Sequence, residues 1–187
     1  MDKASLRSLY RQKRNALQPE HTEVLQKQIE HQFSSLDLDA VACIHVFLPI
    51  AKQLEVDTWP LIRFLWKSKK TVVTSTTDFN TKTMRHWRID SKTSYKTNLY
   101  GILEPLTQDE VLPSQIDMVL VPLLSFDRHG HRVGYGQGFY DRFLGSCRDD
   151  CRLVGLSYFD MCVDIEGLTS YDIPMHHCIT PSKTYSF

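Results

Sequence analysis

Four of the chain's eight glycines, at 130, 134, 136 and 138, fall within nine residues. They lie between an apolar run, Met118 to Val121, and a segment from Gly138 to Leu144 that carries Phe139, Tyr140, Phe143 and Leu144 at helical spacing. Strand, glycine loop and helix in that order constrain the fold more than any other stretch. Clustered glycines cost conformational entropy and belong where the backbone takes positive φ or approaches a ligand closely. Amides at a helix start attract anions, so the reading is a phosphate-binding loop. Gly134-x-Gly136-x-Gly138 is neither the P-loop pattern nor the six-residue dinucleotide fingerprint, and it lacks the Lys-Ser/Thr of a P-loop. A flexible turn is the alternative. Arg132 before the loop and Asp141 after it favour a ligand: a guanidinium suits phosphate oxygens and a carboxylate suits a hard cation. Together they can hold a magnesium nucleotide.

The remaining periodicities predict an α/β chain. Residues 3 to 17 read as a helix, with Leu6, Leu9, Tyr10 and Leu17 interleaved with Lys3, Arg7, Arg11 and Arg14. Pro19 then interrupts before a second helix near Glu20 to Phe33. The cations recur one turn apart on a shared face, which on composition alone is a solvated basic face. Val41 to Leu48, Lys70 to Ser75, Met118 to Val121 and Arg152 to Ser157 are strand candidates, and Thr58 to Lys67 an intervening helix. Strands alternating with helices predict a mostly parallel, open sheet. Thr83 to Ile89, with polar residues alternating, is expected at an edge or in a hairpin. Such sheets bind ligands beyond the carboxyl ends of their strands, where Pro49 to Glu55 and the glycine loop both fall.

At 187 residues without a Pro-, Gly- or Ser-rich linker, the chain reads as one domain spanning 1–187. Twenty-two basic residues balance twenty-two acidic ones, so no global field draws in nucleic acid or an anionic membrane, and any anion site must be local. No apolar run approaches the roughly 20 residues of a membrane span, and the N-terminus is charged from Asp2 onward. Five cysteines without a CxxC pair suggest reduced thiols, and the expectation is a cytoplasmic protein. The histidine pairs 129/131 and 176/177 lack a third ligand placed by any motif, so no transition-metal site is expected.

The block Gly130-x-Arg132-Val133-Gly134-Tyr135-Gly136-x-Gly138-Phe139-Tyr140-Asp141-Arg142, preceded by Pro122 and Phe126-Asp127, resembles the signature of 5-formyltetrahydrofolate cyclo-ligases, also called methenyltetrahydrofolate synthetases. Further blocks follow the family's order along nearly the whole chain. They are Lys3-x-x-x-Arg7, Phe47-Leu48-Pro49 with Glu55-Val56-Asp57-Thr58, Tyr100-Gly101-Ile102-Leu103-Glu104-Pro105, Gly155-Leu156-Ser157-Tyr158, and Asp172-Ile173-Pro174 before Ile179-Thr180. The central block is specific; Lys3, Arg7 or Glu55 alone would mean little. The chain departs from the family at Phe159-Asp160-Met161-Cys162, where a glutamine is common, and at Pro181, where an acidic residue is usual. That leaves the register of Asp172 open.

The resemblance implies a three-layer α/β/α fold of the isomerase and CoA-transferase type, and a reaction of 5-formyltetrahydrofolate with ATP and Mg2+ giving 5,10-methenyltetrahydrofolate, ADP and phosphate. It assigns Lys3, Arg7, Arg132 and the segment Val133, Gly134, Tyr135, Gly136, Gln137, Gly138, Phe139 and Tyr140 to ATP, with Arg132 and Tyr140 as catalytic residues. Leu48, Glu55, Tyr135, Gly136, Gln137, Gly138 and Phe139 fall to the folate, and Asp141 and Asp172 to magnesium. The alternatives are a helix-terminal carboxylate for Asp141 and a turn-forming role for Asp172. Of Phe139 and Tyr140, one is expected to point into the core. Glu104 recurs in the family without a derivable catalytic role, and an ion pair with a nearby arginine is equally open. No Ser, Cys or His nucleophile is required. The expected partners are small molecules, with the chain a monomer or weak homodimer. Two other classes stay open: a non-catalytic folate or nucleotide binder, and a diverged enzyme on the same scaffold.

Overall fold

A computed structural model describes the whole of Met1–Phe187. Helix α1 (Lys3–Asn15) opens on Asp2, whose carboxylate accepts from the amides of Ala4 (2.8 Å) and Ser5 (2.9 Å) and so satisfies two of the helix's free donors. Helix α2 (Pro19–Ser34) begins with proline at its first position, where the missing N–H costs nothing. Then come β1 (Cys43–His45), a short 3-10 turn at Ala51–Gln53, α3 (Trp59–Lys67), β2 (Thr71–Asp78) and β3 (Thr83–Ile89). A hairpin of β4 (Tyr95–Thr97) and β5 (Leu103–Pro105) leads to β6 (Met118–Pro122). A second hairpin, β7 (Ser125–Phe126) with β8 (Arg132–Val133), precedes α4 (Phe139–Leu144). The chain ends with β9 (Arg152–Leu156), β10 (His177–Ile179) and β11 (Thr184–Ser186).

Seven strands form one sheet in the order β11-β10-β9-β6-β1-β2-β3. The five inner strands run parallel, and β3 and β11 pair antiparallel at the two edges. The expected α/β class and the edge position of Thr83 to Ile89 are both observed. Alternation along the strands divides the core. Ile44, Met118, Leu120 and Val154 face Ile29 and Phe33 of α2 and Leu61, Ile62 and Leu65 of α3. Val73, Val119, Val121 and Leu153 face Phe143 and Leu144 of α4. These are the three layers, the α4 side being thin. Helix α1 belongs to neither. Its Leu6 and Tyr10 bury against Leu124, Val133 and Ile165, so it docks on the β7–β8 hairpin beyond the carboxyl ends of the strands.

Several boundaries differ from the sequence reading. The strand expected over Val41 to Leu48 pairs only from Cys43 to His45, because the chain then turns away to form the loop that carries Glu55. The glycine loop does not follow the central strand directly: the β7–β8 hairpin intervenes, and Gly130 belongs to its turn rather than to the loop. There φ is +79°, and a Cβ would lie 2.5 Å from the Met175 carbonyl oxygen. Glycine is needed at that position for packing. The first helix stops at Asn15, not residue 17. The strand order turns at β1 and β6, one neighbour lying on each side, and the crevice above such a switch point is where open α/β sheets bind ligands. No helix is long and apolar enough to cross a membrane.

Candidate active site

A cavity of about 620 Å³ opens above that switch point. Lys3, Arg7, Leu48, Glu55, every residue from Arg132 to Asp141, and Asp172 all line it. Segments far apart in sequence, from the first helix to the Asp172 turn, therefore meet in one space. Four cations (Lys3, Arg7, Arg11 and Arg132) and three carboxylates (Glu55, Asp141 and Asp172) border it.

At one end the charges are paired. The Arg132 side chain, 5% exposed, donates from Nη2 to Asp141 Oδ1 (2.7 Å) and from Nη1 to the Ile173 carbonyl (2.6 Å). Burial pulls the guanidinium below its ordinary pKa while Asp141 opposes that pull. Lys3 Nζ donates to Asp172 Oδ1 (2.6 Å), and Asp172 Oδ2 accepts from the amide and hydroxyl of Thr169 (2.7 and 3.0 Å). Burial pushes the Asp172 carboxyl up, but those bonds outweigh it and hold the group below the usual carboxylate range. Asp172 thus faces the cavity and shapes a turn at once. Asp141 and Asp172 are the carboxylates here open to a magnesium ion, which takes one or two carboxylates and keeps waters and phosphate oxygens; Asp141 engages only Oδ1, on Arg132, whereas both oxygens of Asp172 are engaged. Neither here nor elsewhere does a group of three or more His, Cys, Asp or Glu side chains gather.

The loop between is gripped by α1. Arg7 Nε donates to the Gly134 carbonyl (2.9 Å), the Arg11 guanidinium lies 5.8 Å from the Tyr135 ring centroid, and Arg14 Nη1 donates to the Tyr135 hydroxyl (2.9 Å). At Gly136, φ is +93° and a Cβ would stand 3.2 Å from the Arg7 guanidinium. Gly138 caps α4 with φ +68°. That helix has six residues, so the anion attraction expected of a helix start is weak, and the cations carry more of it.

At the other end, Glu55 is 9% exposed. Its Oε2 accepts from the Ile50 amide (2.7 Å) and its Oε1 from the Tyr135 hydroxyl (2.7 Å). Burial raises its pKa, and the Ile50 amide, Tyr135 and Arg14 act against that rise. Tyr140 is the inward-pointing member of the pair at the start of α4. It packs on both sides of the core and against the His45 ring, makes no hydrogen bond within the chain, and has its phenol pushed up by burial. Phe139 faces outward to Phe79, which stacks on Tyr100 at 4.0 Å. Glu104 pairs with no arginine: it accepts from Asn98 Nδ2 (3.0 Å) and lies 4.0 Å from Lys96 Nζ.

Sequence reasoning missed three features of this site. Arg14, read as part of a solvated face, is 3% exposed. Its signal was its position, two turns beyond Arg7 and beside the apolar face of the helix. Phe79 and Tyr100 sit at turns where no periodicity marks them. Finally, His45 Nε2, Ser75 Oγ and His86 Nδ1 form a chain (2.7 and 2.8 Å) that runs from the cavity wall at His45 and Ser75 into the interior at His86. His45 Nδ1 is left without a partner, which is cheaper as a bare lone pair than as an N–H. His45 Nε2 then donates to Ser75, and Ser75 donates to His86.

Comparison with known proteins gives consistent relatives. The model of the 5-formyltetrahydrofolate cyclo-ligase family matches residues 1–181. The 5-formyltetrahydrofolate cyclo-ligase of Escherichia coli (strain K12) is 31% identical over 184 residues, 96% of this chain and 100% of that one. The Haemophilus influenzae cyclo-ligase is 35% identical over 127 residues, 65% of this chain and 67% of that one. Among solved structures, Aquifex aeolicus 5,10-methenyltetrahydrofolate synthetase matches with TM-score 0.84 and 26% identity over 100% of this chain and 93% of that one. A synthetase from Mycoplasma pneumoniae, at 23% identity, shares the fold with TM-score 0.75 over 97% and 99% of the two chains.

Proposed function

The chain belongs to the 5-formyltetrahydrofolate cyclo-ligase family, and from that membership we propose that it couples cleavage of ATP to ADP and phosphate, with magnesium, to closure of the methenyl bridge of its folate substrate. The observation that carries this reading is that one cavity gathers Lys3, Arg7 and Arg132, with Asp141 and Asp172 beside them, toward one end and a buried carboxylate, Glu55, at the other.

An N-formyl group is an amide, and its oxygen leaves too poorly for N10 to displace it. In the proposed course the formyl oxygen attacks the γ-phosphorus and ADP departs. N10 then adds to the activated carbon and loses its proton, and the C–O bond breaks with release of phosphate. Such transfer needs alignment and charge stabilisation more than covalent help from the protein. Arg132 meets the transferring group, Lys3 and Arg7 hold the polyanion from α1, and the Gly134 to Gly138 backbone lets phosphate approach closely. Asp141 and Asp172 would hold magnesium, which supplies charge neutralisation on the phosphates when bound. Glu55 accepts hydrogen bonds from the amino-pyrimidine edge of the pterin, with Leu48 beside it, and Tyr135 and Phe139 offer ring faces. Tyr140, half-buried on the cavity wall with an unengaged hydroxyl, keeps a neutral phenol available as a donor. Five free thiols fit a reducing cytoplasm, the compartment we propose.

The test separates the two ends. Arg132→Ala should lower ATP-dependent turnover on the order of a hundredfold with folate affinity kept. Glu55→Gln should weaken 5-formyltetrahydrofolate about tenfold or more with ATP affinity kept. Steady-state kinetics on folded variants would contradict the assignment if neither parameter moved.

A further inference from the structure

The Arg14 guanidinium joins four segments that border the cavity. It leaves α1, donates to the carbonyls of Gln53 (3.2 Å) and Leu123, and reaches the Tyr135 hydroxyl (2.9 Å). Gln53 belongs to the loop after β1 and Leu123 follows β6, so the contact straddles the switch point. A tyrosine hydroxyl has one proton. Because Arg14 fills a lone pair on that oxygen, and an ionised carboxylate can only accept, the proton must lie toward Glu55 Oε1 at 2.7 Å.

We propose that Arg14 is a positioning residue: it orients the Tyr135 hydroxyl onto Glu55, and so ties the helix that carries Lys3 and Arg7 to the carboxylate at the folate end. The inference rests on the assignment of Glu55 to the folate. The groups facing Glu55 are few. Arg14 comes from α1 and Tyr135 from the glycine loop, while Tyr140, from α4, is held neutral by burial. The Tyr158 hydroxyl lies 3.1 Å from Gln26 Oε1 and, of Glu55, reaches only the backbone carbonyl (3.4 Å). Arg14 is the cation among them. Arg7, one loop residue away on the Gly134 carbonyl, places the phosphate end of the same helix in register with it.

The readout is 5-formyltetrahydrofolate affinity against pH, measured by calorimetry for wild type, Arg14→Met, Tyr135→Phe and the double variant. The substrate's own carboxylates titrate alike in all four, so differences between them report the protein. Tyr135→Phe removes one oxygen and keeps the ring, so it informs even if Arg14→Met does not fold. The expected result is an acid limit of binding displaced upward by about one pH unit in Tyr135→Phe. Arg14→Met should behave likewise, with a double variant no weaker than the worse single one. A folded Tyr135→Phe protein whose acid limit coincides with wild type would overturn the inference while leaving the folate reading intact, as would additive losses in the double variant. Failure of the wild type to bind the folate at all would overturn both.

Discussion

His45 and His86 enter the interior as neutral imidazoles. Burial takes His86 down to about 4 and His45 well below its ordinary value, with the neighbouring imidazole adding to the effect at His45. In the unfolded chain both take up protons near pH 6.5, and in the folded chain neither does until far lower. Their contribution to stability is therefore complete above about pH 6.5 and is lost as pH falls toward 4. For His86 the loss between pH 6.5 and pH 5 is on the order of 1.5 kcal/mol, and His45 acts in the same direction. Glu55 has the opposite sign: burial raises its pKa, so its penalty is absent below about pH 4.5 and grows as pH rises. Urea unfolding at both pH values should show a shallower fall for His86→Phe, whose ring keeps the stack on Phe143 (4.0 Å). If neither that variant nor His45→Gln changed the difference, the neutral-pair description would be wrong. None of this was legible in the sequence, because burial gives the histidines their meaning and no spacing rule marks residues 45, 75 and 86 as neighbours. Arg14 is a nearer miss: its place beside Leu6 and Tyr10 was readable, but a charge on a helix ordinarily faces water.

The glycine loop shows what an element adds to its residues. Gly134 and Gly136 read identically in the sequence, yet they differ in the fold. Nothing lies within 4 Å of a Cβ on Gly134, whereas Gly136 has φ +93° and the Arg7 guanidinium against it. Gly136→Ala should cost on the order of 1–3 kcal/mol, and Gly134→Ala within about 0.5 kcal/mol. If phosphate approaches the loop backbone, Gly134→Ala keeps its melting temperature and still loses ATP affinity. Equal melting temperatures for the two variants would refute the distinction. The other elements were readable where local signals were long. The parallel strands gave β-branched runs, α2 and α3 gave apolar periodicity, and Thr83 to Ile89 gave the alternation of an edge. The hairpins β4–β5 and β7–β8 and the strands β10 and β11 are two or three residues each, too short for periodicity to register. Their pairing is set by the tertiary fold.

Across the whole molecule, the site follows from topology. The parallel order reverses at β1 and β6, the loop after β1 carries Glu55, the β7–β8 hairpin after β6 leads into the glycine segment, and α1 closes the crevice from that hairpin. On the proposed assignment of Lys3 and Arg7 to ATP, docking of α1 should serve stability and function at once. Leu6→Ala, at 1% exposure, should cost about 2–5 kcal/mol and weaken ATP use, because Lys3, Arg7 and Arg14 all depend on that helix. Thermal unfolding measured with and without a nonhydrolysable ATP analogue would oppose this view if the destabilised variant kept the wild-type ligand-induced shift. The candidate site was legible as a set of residues because the family resemblance spans the chain. Their mutual pairing, Arg132 with Asp141 and Lys3 with Asp172, was not, since contacts between distant segments leave no trace in local spacing. The most direct test of the central claim is absorbance at the methenyl-folate band after mixing protein, 5-formyltetrahydrofolate and magnesium, with and without ATP, alongside an assay for ADP. The account predicts a rise only with ATP, matched by equimolar ADP; a rise without ATP, or both ligands bound with neither product formed, would contradict it.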